Sequence, residues 1–169
     1  GDLSTITGVR TQGHSMVIIR LLTQLLRHHQ NDELERLAAR HVELLTVKYF
    51  NPEFGIVNEY LDHDYNRIGS FEDQMFTGHS IETSWMLMDE ALRLGDRQLF
   101  ELAVSRFRRY LEMSWDYVYG GLGSGDFFVE GTDSRLQGTD YGVKTMWLQC
   151  EAMLGCLMVM EYTGAPWAA

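Results

Sequence analysis

The chain has 169 residues, 45% of them hydrophobic and 12% aromatic, with 16 glycines and two prolines. That is enough to bury one moderate core, and the composition excludes a low-complexity or disordered polypeptide. Fourteen Lys and Arg stand against 24 Asp and Glu, a formal charge of −10. A field of that sign repels phosphate backbones and no basic cluster offsets it, so nucleic acid is a poor partner. No run of about 18 uncharged apolar residues exists to span a membrane, and the polar start GDLSTITGVRTQG lacks the apolar core of a secretory signal.

Helical periodicity recurs five times. The first helix is expected over His14–Gln30 and the second from an Asp32 cap to Phe50, stopped by Asn51-Pro52. A connection over 51–77 follows, in which GIVNEYL (Gly55–Leu61) has strand character. The third helix covers His79–Leu94 with Gly95 as its C-cap, and Asp96 caps a fourth reaching about Asp116. A glycine-rich connection over 117–139 leads to a fifth helix, Tyr141–Thr163, ended by Gly164 and Pro166. Cys150 and Cys156 fall in that helix. Roughly 9 Å apart at about 1.5 Å per residue, they are too distant for a disulfide and read as reduced core thiols of a cytoplasmic protein.

Tight joints at Asn31 and Gly95-Asp96 alternate with long loops, which is the grammar of α-hairpins with their long loops at one end. Gly13-His14-Ser15 and Gly78-His79-Ser80 open the first and third helices, and Gly142 keeps the glycine alone at the fifth. Helices one, three and five are apolar around their circumference, whereas two and four each carry a charged face. The expected fold is therefore all-α: inner helices shielded by outer ones, a single partial domain over 1–169 forming an arc of a larger toroid. The fifth helix has no outer partner, so an exposed apolar stripe and self-association to cover it are expected.

Three stretches can carry chemistry. In GHSIETSW, His79, Glu82 and Trp85 share about 120° of one helical face. An imidazole beside a carboxylate suits proton transfer near neutral pH, and Trp85 suits stacking on a sugar ring. The ordinary alternative is that His79 caps or packs a helix end and Trp85 is core, and this stretch alone favours it. In KTMWLQCEAM, Lys144, Trp147 and Glu151 share a face suited to polyol recognition, or else form a solvated Lys–Glu pair around a core tryptophan. In GIVNEYLDHDYN, the acids Glu59, Asp62 and Asp64 can meet a pocket, hold a cation or simply be wet, the last being commonest. His28, His29 and His41 sit on charged faces, no set of metal ligands emerges, and no metal or redox cofactor is expected.

Together these stretches resemble the N-acylglucosamine 2-epimerase superfamily, which includes cellobiose 2-epimerases and mannose isomerases. Gly78, His79, Ile81, Glu82 and Trp85 match its Gly-His-x-Ile-Glu-x-x-Trp helix start. Lys144, Trp147, Gln149, Glu151 and Ala152 match its later Lys-x-x-Trp-x-Gln-x-Glu-Ala helix, and the run at Glu59, Asp62 and Asp64 is similar to its acidic loop. The resemblance implies an (α/α)6 barrel of which this chain is a middle-to-late arc. It also implies proton transfer at C2 beside a sugar carbonyl, with His79 as an acid–base residue oriented by Glu82. It implies a sugar site lined by Trp85, Trp147, Glu151 and Lys144, with His14, one repeat earlier, as a further lining residue. Family members are about twice as long, and a second acid–base His and a sugar-binding Arg lie outside the matched region. The chain alone is therefore expected to be impaired as an epimerase or isomerase. Two other readings stay open: a non-catalytic carbohydrate-binding or assembly module, and an (α/α) glycoside hydrolase or lyase using Asp62, Asp64, Glu82 and Glu151.

Overall fold

A computed structural model describes residues 3–124, 126–129, 136–137 and 143–169. Among these are five α-helices: α1 (Gln12–Leu26), α2 (Asp32–Glu43), α3 (Thr77–Leu94), α4 (Arg97–Ser114) and α5 (Met146–Thr163). None is long and apolar enough to cross a membrane. The strand pairs are short and antiparallel. β1 (Arg10–Thr11) pairs with β4 (Tyr60–Leu61), β2 (Phe50–Asn51) with β3 (Ile56–Val57), and β5 (Gln74–Phe76) with β6 (Asp126–Val129), which pairs in turn with β7 (Leu136–Gln137).

The hairpins form as the spacing predicts. α2 folds back on α1 and α4 on α3, while α1 and α5 flank α3 on either side. Gly95 ends α3 with φ +67° and its N–H on the Ala91 and Leu92 carbonyls, and the Asp96 side chain accepts from the Leu99 N–H to start α4. α3 is the centre of the core, with Ile81, Leu87, Met88 and Ala91 at most 3% exposed.

Several boundaries differ from expectation. Asn31, not Asp32, caps α2, its side chain accepting from the Glu33 and Leu34 N–H groups. α2 does not run on to Phe50: residues Leu44–Lys48 make one wide π turn closed by the Tyr49 N–H on the Leu44 carbonyl. The Arg106 guanidinium from α4 caps the loosened carbonyls of Leu45 and Thr46. α5 begins at Met146, with Thr145 accepting from the Leu148 N–H, not at Tyr141. Tyr141 and Gly142, and with them the third copy of the glycine repeat, lie outside the described residues. Cys156 is half-buried but Cys150 is exposed, so both thiols are free and only one approaches the core.

Candidate active site

α1, α3 and α5 bring their N-terminal ends together, with β1, β4 and β5 at the same end. Gln12 opens α1: its N–H donates to the Glu59 carbonyl and its side-chain amide to Thr83 Oγ1 and the His79 carbonyl, at 2.9, 2.8 and 3.3 Å. Gly13 follows, and a Cβ there would lie 3.1 Å from His79 Cε1. Gly78 stands in the same relation to α5, since a Cβ on it would lie 2.2 Å from Trp147 Cη2. The glycine of the Gly-His-Ser repeat thus has a packing cause in both α1 and α3: Gly13 seats the His79 ring from α3, and Gly78 seats the Trp147 ring from α5.

His79 is the hub. Its ring lies 4.6 Å from Phe76 and 6.0 Å from Trp147, centroid to centroid. His79 Nδ1 lies 3.0 Å from Glu59 Oε2. The Glu59 side chain is 5% exposed, and its own carbonyl is held by Gln12, so the carboxyl is fixed from both ends. A carboxylate at Nδ1 holds the proton on that nitrogen and makes Nε2 the basic one. The acid that bonds the imidazole is therefore the one twenty residues upstream. Asp62 accepts from the backbone of Asp64 and Asn66, folding its own turn, and Asp64 is exposed beside His63.

Glu82 lies one turn below His79 on α3, half-buried. Burial and then the Glu151 charge push its carboxyl up to about 7, with His79 opposing. Near neutral pH such a group is both acid and base. Glu151 is fixed in turn by Trp85, whose Nε1–H donates to Glu151 Oε2 at 2.6 Å. Trp85 is 5% exposed, with the Arg20 guanidinium 4.8 Å above its ring. It holds a carboxylate and offers little face for stacking. Trp147 is 38% exposed and stacks on Phe76, which gives the open aromatic surface beside His79.

The remaining candidates are placed apart from this hub. Lys144 precedes α5, so it does not share a helical face with Trp147 and Glu151. Its Nζ binds Asp116 Oδ2 at 2.6 Å, and that bond together with the Tyr119 and Val118 N–H groups holds the Asp116 carboxyl down to about 2. Gln149 accepts from the Leu122 N–H and donates to the Leu122 carbonyl, so Lys144 and Gln149 both fasten the 115–122 segment to α5. His14 is exposed in the first turn of α1, next to Gly13. Phe76 and Arg20 went unnoticed in the sequence; the signal for Arg20 was a cation inside the apolar run MVIIRLL.

The family described as N-acylglucosamine 2-epimerase matches residues 8–168. The N-acylglucosamine 2-epimerase of Rattus norvegicus is 25% identical over 159 residues, covering 89% of this chain and 36% of that protein. That of Bos taurus is 30% identical over 91 residues, covering 53% of this chain and 21% of that protein. Among solved structures, a D-mannose isomerase superposes with a TM-score of 0.79 at 19% identity, over 96% of this chain and 40% of that one. The cellobiose 2-epimerase from Bacillus thermoamylovorans B4167 gives 0.73 at 22% identity, over 92% and 37%. At these identities the structural likeness shows the fold: the five helices are an arc of an (α/α)6 barrel. The chain spans little more than a third of the length of the curated relatives it matches, less than the half expected from the resemblance.

Proposed function

The chain belongs to the N-acylglucosamine 2-epimerase family, and from that premise we propose that this arc carries the proton-transfer half of a sugar 2-epimerase or aldose–ketose isomerase. The observation that supports it most is the buried Glu59 carboxyl on His79 Nδ1. With that proton fixed, Nε2 takes the hydrogen from C2 of an open-chain sugar, and the electron pair moves onto the carbonyl to give an enediolate. Glu82, whose carboxyl burial and the Glu151 charge push up to about 7, donates a hydrogen bond in its protonated form to the oxygen on which charge develops. Trp147 gives the sugar an apolar face, and Glu151, held by Trp85, accepts from a hydroxyl. Return of the proton to the opposite face of C2 epimerises, and delivery to C1 isomerises. His14 borders the same rim, and Lys144 acts by holding the adjoining segment. No metal or redox cofactor enters the scheme. Its substrate is a neutral or acylated sugar, and its turnover as this chain alone is low. Self-association through the exposed face of α5 belongs to the same proposal.

The test is incubation with mannose, glucose, fructose, N-acetylmannosamine and cellobiose in D₂O, following the C2 proton by NMR. The expected result is exchange with at least one sugar, abolished by His79→Ala. Exchange that survives His79→Ala, or none from the folded wild-type chain, overturns it. A second reading, glycoside hydrolysis, is favoured by the Glu82–Glu151 carboxyl pair, in which burial and the Glu151 charge push the Glu82 carboxyl up to about 7. Hydrolysis lost in Glu151→Gln but retained in His79→Ala would select that reading.

A further inference from the structure

Trp85 poses a packing problem. Its position on α3 puts it on the same face as His79, Glu82 and Asp89, the face that carries the site's polar groups. An indole there has one large apolar surface and one N–H, and each needs a partner. The N–H has Glu151 at 2.6 Å. The ring is covered from α1: the Arg20 guanidinium lies 4.8 Å from its centroid, and Arg20 Nη1 donates to Asp89 Oδ2 at 2.9 Å, one turn further along α3. Asp89 is itself gripped by Arg27 and, at 3.4 Å, by Gln24 Nε2. Arg20 is thus anchored at its tip on a residue with a 12%-exposed side chain, with its guanidinium placed over the indole ring. A planar, delocalised cation suits both contacts at once, where a lysine ammonium suits only the ion pair.

We propose that Arg20 is a positioning residue for the sugar site: pinned by Asp89, it holds Trp85 in the one orientation that keeps the indole N–H on Glu151 and so fixes the carboxylate facing Glu82. The chain of contact runs from α1 through α3 to α5, and it forms the floor beneath His79. The assignment of this floor to a sugar site rests on the function proposed above; the Arg20–Trp85–Glu151 tie itself does not.

The experiment reads the tie directly, without sugar, on the whole chain. The Trp85 indole N–H resonance is assigned by its loss in Trp85→Phe, and its carboxylate partner is established by its upfield move in Glu151→Gln. In Arg20→Met the same resonance is expected to move upfield and its hydrogen exchange to quicken about fivefold, the population change that a stacked cation of this kind is worth. Arg20→Lys keeps the charge but loses the plane, and is expected to fall between. The His79 imidazole resonances, which a general loosening of the fold would move, are expected to stay in place. An unchanged Trp85 indole in Arg20→Met, or an indole equally perturbed in Arg20→Lys, overturns the proposal. Should Arg20→Met not fold, Asp89→Asn removes the anchor while leaving the guanidinium, and an unchanged indole there overturns it equally. The C2-exchange assay is then run on Arg20→Met. A several-fold loss of exchange links the floor to the chemistry, whereas an intact tie in a wild-type chain that exchanges no sugar defeats the functional reading alone.

Discussion

α3 and α5 are both apolar helices of 18 residues, and they meet opposite fates. α3 is enclosed by α1, α4 and α5, and even Asp89 and Glu90 are buried in it. They are tolerated because each has partners: Arg20 and Arg27 reach Asp89 and Thr23 reaches Glu90 from α1 and its C-cap, while Arg93 in the last turn of α3 itself pairs with Glu90. α5 buries one stripe, Leu148, Ala152, Gly155 and Val159, and leaves Met153, Leu157 and Tyr162 more than half exposed. On the outer side of α5 a cavity of about 590 Å³ opens between Trp115, Leu122, Met153 and Trp167. What decides burial is therefore the neighbours a helix meets, not its own apolarity. The proposed site lies on the seam between the two, where the enclosed helix carries His79 and Glu82 and the open one carries Trp147 and Glu151.

The sharpest contrast is between core positions. Met88→Ala, at a fully buried position on α3, is expected to cost about 3 kcal/mol through lost contacts and the cavity left behind, while Leu157→Ala on the open face of α5 costs well under about 1 kcal/mol. Urea unfolding of the two variants measures this, and equal losses would mean that α5 is covered in solution.

The two close-approach glycines give the next contrast. A Cβ on Gly155 would lie 2.3 Å from Phe107 Cζ, and one on Gly78 2.2 Å from Trp147 Cη2. The clashes match but the escapes do not, because Phe107 is fully buried and Trp147 is 38% exposed. Gly155→Ala is expected to destabilise by about 2 kcal/mol. Gly78→Ala lowers stability less and instead swings Trp147 out, abolishing the proposed stacking, as seen by tryptophan fluorescence and sugar titration.

A smaller effect comes from Glu82. Its folded-state value near 7 lies above its ordinary 4.5, so folding takes up a proton between those limits. The stability this contributes is complete below about pH 4.5 and is lost as pH rises through 7. Relative to Glu82→Gln, the wild-type denaturation midpoint is expected to fall from pH 5 to pH 8. A parallel pair of curves would show that Glu82 titrates as an exposed acid. Smallest of all, Leu157→Glu is expected to leave stability unchanged while lowering self-association in sedimentation, since it alters only the open face.

Much of this was legible in the sequence because short-range physics carries it. The 3.6-residue period placed all five helices, and Gly95, Asp96 and Gly164 cap where they were expected. Errors arose where two residues of equal aptitude are adjacent, as with Asn31 and Asp32, or where apolar periodicity runs past a cap, as at Tyr141–Thr145. The latter put Lys144 on a helical face, whereas its partner is Asp116 in another element. The site was legible as a set of types, not as a set of pairs. His79 and its acidic neighbours are visible, but the choice of Glu59 over Asp62 depends on how β4 and the start of α1 meet. The Arg20–Asp89 and Trp85–Glu151 partnerships each join different helices, and no local pattern encodes them.

The account rests most directly on the state of one imidazole. Long-range proton–nitrogen NMR of the His79 ring reads which nitrogen carries the proton. The arrangement with Glu59 predicts the proton on Nδ1 at neutral pH, with that pattern lost in Glu59→Gln and kept in Glu82→Gln. A ring protonated on Nε2, or one indifferent to Glu59→Gln, would contradict the assignment of His79 as a base prepared by a buried carboxylate.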